Sequence, residues 1–582
     1  MAVILKSFRH KVPPVMNRIS RQTLRNCIAL GLLVVFFLYY LTLCGIPVSF
    51  TEQRNTRYYV FKTPFLGLIE VDLMVIVLCT IIVLLNVSYR FLPIILIPMI
   101  GYFIYAYTGL YLSYVVSIIL FCFTVFYLCY VGYCKGLSDG FNCFTRCLLR
   151  GVLCVFIVLE LLVVISCIVY FVYGSWVDVF KWLVLRVRGV WAPLEWFSIV
   201  FFILFMWFNA YRVARAVKPV GVFSLRSYSG FIELVVGLRG LFLGIASAWF
   251  MVLLVHLPSV NLGFDPVSVD TFYYMRFFNL VDKYGLWTAL NMHNMARPAY
   301  LIMLYGLWNL FGRNSVLFLD VIHPLVSFTL LVIAVYVVCK RFYGEFVAGL
   351  ASFLTGIGHC VTTFIAGGFQ ANSLALPLAL LLFIIPYEHL GLLFLNLLIL
   401  ILIHPWTFAM YFPVLLVYYW RVKGLRYKLL FKVFTIGVFA YVLGEVINHL
   451  LLSMGPGTAV LNVVVRGFEV GLPSKWFEAL SLWTWGSELN APLLLASSIP
   501  NGFEFIDVVL GLSAPLTLLY KPVILHRIVL NIPIEICVAR TLAKTDKLVI
   551  TTVILMILSR SLIILTGLTP LTEPLWKYIP RI

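Results

Sequence analysis

The stretch VLFLDVIHPLVSFTLLVIAVYVVCKRFYG, Val316–Gly344, decides the architecture of this chain. Val316–Cys339 is an apolar run long enough to cross a bilayer as a helix, which needs about 20 residues, and it stops at Lys340-Arg341. Basic residues gather on the cytoplasmic side of membrane proteins, so that end is expected inside. Such runs recur along all 582 residues, of which 63% are hydrophobic and 11% charged. A soluble domain carries about 25% charge. Runs of this length fit helices rather than the alternating ten-residue strands of a membrane barrel. The expected fold class is therefore an all-α polytopic membrane protein with roughly 14–16 transmembrane helices.

Working outward, basic clusters keep to one topology. Lys6, Arg9, Lys11, Arg18, Arg21 and Arg25 precede a first span at 27–46, too long for a signal-peptide core, so the N-terminus is expected in the cytoplasm. Further spans are expected at 65–87, 91–108, 110–133, 151–173 and 192–211, with an amphipathic interfacial segment at 175–190. These make residues 1–230 a membrane module of six helices without a function to assign. Residues 231–582 form a second part, with spans at 232–257, 316–339, 344–366, 371–386, 390–403, 405–420, 429–452, 503–520 and 548–568. Its long external loops are 257–297 and 453–500. Lys521–Ala543, with two prolines, reads equally as a broken crossing or a re-entrant element. The net charge of +19 is accounted for by this positive-inside bias and by attraction to lipid headgroups, with no nucleic-acid platform. A multi-pass protein of the cell membrane follows. The 13 cysteines are scattered, with no CxxC pair, so free thiols are expected; Cys134, Cys143 and Cys147 share a loop but lack a fourth ligand for a metal.

The first external loop carries the chemistry-bearing residues. GFDPVSVDTFYYMRFFNLVDKYG, Gly263–Gly285, holds three of the chain's 23 acidic residues. Asp270 opens a short amphipathic helix whose apolar stripe is Tyr274, Phe277, Phe278 and Val281. An acid there is favoured by the helix dipole and reads either as an N-cap or as a general base toward a hydroxyl. Asp265 reads as a second site acid or as a turn former before Pro266. Arg276 and Arg297 suit a phosphate or pyrophosphate through their forked donors, or anchor the chain at the interface. His293 is a solvated loop residue or a participant. Arg297–Gly312, RPAYLIMLYGLWNLFG, is short for a crossing and rich in aromatic residues, and is expected to lie in the interface or to dip in and return.

The order of these pieces resembles the GT-C superfamily of membrane glycosyltransferases. The resemblance runs from about Ile232 to the C-terminus and is carried by VDTFYYMR (Val269–Arg276), RPAYLIMLYGLWNLFG, the span ending in KRFYG (Lys340–Gly344), GGFQANSLALP (Gly367–Pro377) and HPWTFAMYFP (His404–Pro413), the last similar to archaeal members. VDTFYYMR also resembles a segment of the catalytic subunit of oligosaccharyltransferase, and the chain is distantly similar to protein mannosyltransferase-type enzymes. Leu482–Gly486 reads LWTWG, with threonine where the acid of the oligosaccharyltransferase WWDYG motif would stand, which argues against that enzyme itself. The resemblance implies a polyprenyl-phosphate-linked sugar as donor and an acceptor hydroxyl at the external face. Asp270 would be the base, assisted by Asp265 in acceptor positioning or a metal contact. The donor phosphate would lie near Arg276 or Arg297, with Tyr274, His293, Lys475 and Trp476 as further substrate contacts. No cofactor is indicated; a divalent metal stays open.

Two rivals remain. Acids inside apolar runs, Glu70, Asp72, Glu160 and Glu445, would suit a transporter or lipid flippase, although the internal repeat expected of one is not evident. A catalytically inactive GT-C-like scaffold is the other.

Overall fold

The computed structural model describes residues 139–176, 184, 194–215, 230–268, 270–292, 297–453, 487–499, 504–518 and 531–568. The expected spans at 27–46, 65–87, 91–108 and 110–133, most of 175–190, and residues 454–486 and 521–530 lie outside them, as do His293, Lys475 and Trp476. No strand occurs among the described residues, and the chain is an all-α polytopic membrane protein.

In chain order the helices are α1 (Asp139–Tyr173), α2 (Leu194–Ala214), α3 (Gly230–Leu254), α4 (Thr271–Tyr284), α5 (Leu286–Met292) and α6 (Pro298–Leu310). A π-helical turn, Leu317–Ile322, leads into α7 (His323–Tyr343). There follow α8 (Glu345–Ile357), α9 (His359–Gly367), α10 (Gln370–Leu381), α11 (Leu390–Ile403), α12 (Pro405–Val417) and α13 (Tyr427–Ser453). The last are α14 (Ser487–Ser497), α15 (Phe505–Ser513), α16 (Ile534–Leu542) and α17 (Lys547–Thr566). Six stretches among the described residues are long and apolar enough to cross a membrane: Phe156–Tyr173, Gly237–Leu254, Leu317–Tyr343, Glu345–Gly367, Tyr427–Ser453 and Lys547–Thr566.

Helices α3 and α8 pack backbone to backbone through small residues. A Cβ on Gly240 would strike the Gly349 backbone, and one on Gly356 the Gly244 carbonyl. Lipid supplies no hydrophobic drive between helices, so such close approach is what holds a membrane pair together. Glu345–Gly367 breaks at Gly358, and the α9 backbone N–H of Cys360 donates to the buried Glu535 carboxylate of α16 at 2.9 Å. Helix α16, nine residues and wholly buried, is about 14 Å long, less than half of a bilayer's hydrocarbon core. The HPWTF segment ties it in: His404 Nδ1 accepts from Thr407 N, Thr407 Oγ1 donates to Asn531 Oδ1 at 2.7 Å, and Tyr411 donates to the Asn531 carbonyl at 2.6 Å.

The contact pattern divides the chain into Met1–Phe156 and Ile157–Ile582. Within the second unit α2 packs on α14 and α15, and Glu160 of α1 pairs with Arg560 of α17 at 2.7 Å.

Candidate functional site

Helix α4 starts where its apolar stripe demands, and Thr271, Tyr274, Phe277, Phe278 and Val281 are buried. It stacks on α6 through Phe278 and Trp308, with ring centroids 4.5 Å apart and nearly parallel. Arg313, just past α6, pairs with Asp282 at 3.7 Å. With about 20 Å of length, α6 falls short of a bilayer's 30 Å hydrocarbon core. Helices α4 and α6 thus form a platform beside the loop.

Asp270 precedes this helix in a right-handed conformation, and its side chain makes no capping bond. It holds the N-cap position through its backbone alone, its carbonyl accepting from Tyr274 N at 3.2 Å. Its backbone is also fixed: Asp270 N–H donates to the Gly367 carbonyl at 3.0 Å. Gly368, with φ +65°, turns the chain against the loop, and a Cβ there would sit 2.5 Å from Ser268 Oγ and 3.0 Å from Asp270 N. The GGFQ segment is the backing of the acidic loop.

Burial of the Tyr274 phenol pushes its pKa up to about 12; the Arg297 charge opposes the shift and the Asp270 charge adds to it. The buried Tyr300 phenol is also raised well above its ordinary value by burial, and feels the same two charges. The charges of Asp270 and Arg297 thus both act on Tyr274 and Tyr300, whose rings lie 6.2 Å apart edge to face. The remaining expected residues stand elsewhere. Arg276 is on the exposed face of α4 with Phe272 and Asn279. Asp265 is exposed in a turn clamped by Asn261, whose side chain donates to Asp265 O at 2.9 Å and accepts from Asp265 N at 2.8 Å.

Residues that sequence reasoning missed lie behind the loop. Asp320, buried in the π-helical turn, accepts from Val267 N at 2.9 Å, from Ser268 Oγ at 2.8 Å and from Thr271 Oγ1. Gln370 Nε2 reaches Thr271 Oγ1 at 3.3 Å, and Tyr300 shares a 3.3 Å hydrogen bond with His323 Nε2. A small, partly open pocket is lined by Ser268, Asp320, His323, Gly368 and Gln370 among others. Its walls are mostly apolar, and His323 Nδ1 and Gln370 Oε1 are buried there without a partner among the described residues. His256, after α3, is buried against Phe264. Burial holds its imidazole pKa below the ordinary value, against the pull of the Asp320 charge. A lone polar residue in a greasy run was the only available signal for Asp320.

Among the described residues no three His, Cys, Asp or Glu side chains gather as metal ligands would; Cys167, Cys339, Cys360 and Cys537 are buried free thiols. The fold defines the class, a helical multi-pass membrane protein. No family model matches the chain, and no curated protein matches it significantly, so function is argued from the site.

Proposed function

We propose that this chain is a GT-C-type glycosyltransferase that moves a sugar from a polyprenyl-phosphate donor to an acceptor hydroxyl at the external face of the cell membrane. The observation that carries this reading is an acid in a loop pinned from two sides, whose charge and that of Arg297 both act on the buried Tyr274 and Tyr300. The loop lies at the start of α7 and Lys340-Arg341 at its end, about 30 Å away for a 21-residue helix. By the positive-inside rule the loop is then external.

In the reaction the acceptor O–H gives its proton to the Asp270 carboxylate as its oxygen bonds to the anomeric carbon. The bond from that carbon to the phosphate oxygen breaks, and the lipid phosphate leaves with the electron pair. Arg297 balances the charge gathering on that phosphate, a task suited to guanidinium. Tyr274 and Tyr300, with raised pKa values, stay protonated at neutral pH and act as donors and packing surface. General-base catalysis contributes about 100-fold or more, so Asp270→Asn is expected to lower release of free polyprenyl phosphate by that factor. The assay uses full-length protein in nanodiscs with a panel of polyprenyl-phosphate hexoses. Full transfer by an inserted, folded Asp270→Asn protein would sink the base.

One feature favours a transporter. The break at Gly358 places the start of α9 at the buried Glu535 carboxylate, and broken helices mark substrate sites in transporters. Solute or lipid flux into vesicles, without sugar transfer to any acceptor, would favour that rival.

A further inference from the structure

A buried carboxylate in a membrane-spanning stretch needs partners, and those of Asp320 come from one place. Its three donors, Val267 N, Ser268 Oγ and Thr271 Oγ1, belong to the segment that carries Asp270. Thr271 is doubly held, by Asp320 on one side and by Gln370 Nε2 at 3.3 Å on the other. Asp270 is its immediate neighbour and is tied through its own N–H to Gly367. The carboxylate reaches the loop from a π-helical turn, Leu317–Ile322. Such turns add a residue to the helical repeat and redirect side chains, and they recur at functional sites.

We infer that Asp320 is a positioning residue: by accepting from Val267, Ser268 and Thr271 it sets the place and direction of the Asp270 carboxylate. This rests on Asp270 acting as the base. Asp320 itself touches no substrate; it acts through the loop. Because Val267 donates from its backbone, the hydroxyls of Ser268 and Thr271 are the parts of this link that substitution can remove gently.

The test uses full-length protein in nanodiscs. Thr271→Val deletes one hydroxyl at constant shape, Asp320→Asn removes the charge, and Thr271→Ser keeps the hydroxyl. An ångström of misplacement can cost about 100-fold in rate, so kcat with polyprenyl-phosphate hexoses should fall toward that extent in Thr271→Val and Asp320→Asn. KM for the donor should stay near its original value, and Thr271→Ser should restore kcat. Placement is also read without chemistry. In an Asp270→Cys background, the rate of thiol labelling by a membrane-impermeant maleimide should change severalfold on adding Thr271→Val or Asp320→Asn, and not on adding Thr271→Ser. Unchanged labelling in both Thr271→Val and Asp320→Asn overturns the inference, whatever activity does. Changed labelling together with full transfer by Asp270→Asn keeps Asp320 as the anchor of the loop and removes the base.

Discussion

His256 gives the site a pH signature of its own. Its ring is buried against Phe264, and burial depresses its pKa. In the unfolded chain an imidazole titrates near 6.5. Above that pH it is neutral in both states and costs nothing. As pH falls through about 6.5 toward the lower folded value, the unfolded state takes up a proton that the folded state does not. Stability then drops by at most about 1.4 kcal/mol per pH unit for one such group. The thermal midpoint in nanodiscs is therefore expected to fall between pH 7 and pH 5, and to fall less in His256→Phe, which keeps an aromatic ring beside Phe264. An identical pH slope in the variant would remove His256 as the titrating group.

Among the elements, the turn between α9 and α10 bears most directly on the loop. Gly368 has φ +65°, a left-handed conformation that costs a side-chain-bearing residue about 1–2 kcal/mol. An added methyl would also press on Ser268 Oγ and the Asp270 amide, so the loop has to move. Gly368→Ala is expected to lower the thermal midpoint and to cut sugar transfer by about tenfold or more. Gly391→Ala in α11, where a Cβ meets nothing within 4 Å, should leave both unchanged; equal behaviour of the two variants would refute the clamp. Much of this element structure was legible beforehand. The stripe Tyr274, Phe277, Phe278 and Val281 announced α4 and its buried face, and the brevity of 297–312 agrees with the 13 residues of α6. Asp320 was not legible, because apolar runs are read with an α-helical period and the π turn breaks that period where it matters. Its partners also lie about 50 positions away in sequence, where no local pattern points. For Asp270, spacing alone left capping and catalysis open, and it is the fold that shows an N-cap position without a side-chain cap bond.

At the scale of the molecule, buried charge is used to lock helices together. Glu160 accepts from Arg560 at 2.7 Å and from Ser559 Oγ at 2.6 Å, with both charged side chains almost fully enclosed. Asp507 of α15 pairs likewise with Arg540 of α16 at 3.1 Å. In sequence, Glu160 invites a transport reading because an acid inside an apolar run is costly without a partner. The partner is 400 residues further along the chain, beyond the reach of periodicity, and it turns the acid into a tie between α1 and α17. Removing one member of such a pair strands the other, which costs about 3–5 kcal/mol, whereas replacing both by apolar groups of similar size is often neutral. Glu160→Gln should therefore lower the thermal midpoint sharply, and Glu160→Met with Arg560→Met should recover most of the loss while sugar transfer by the folded fraction stays at its original level. A proton-carrying Glu160 would behave in the opposite way. Its Gln variant would keep the midpoint and lose pH-driven flux, and the double Met variant would recover nothing.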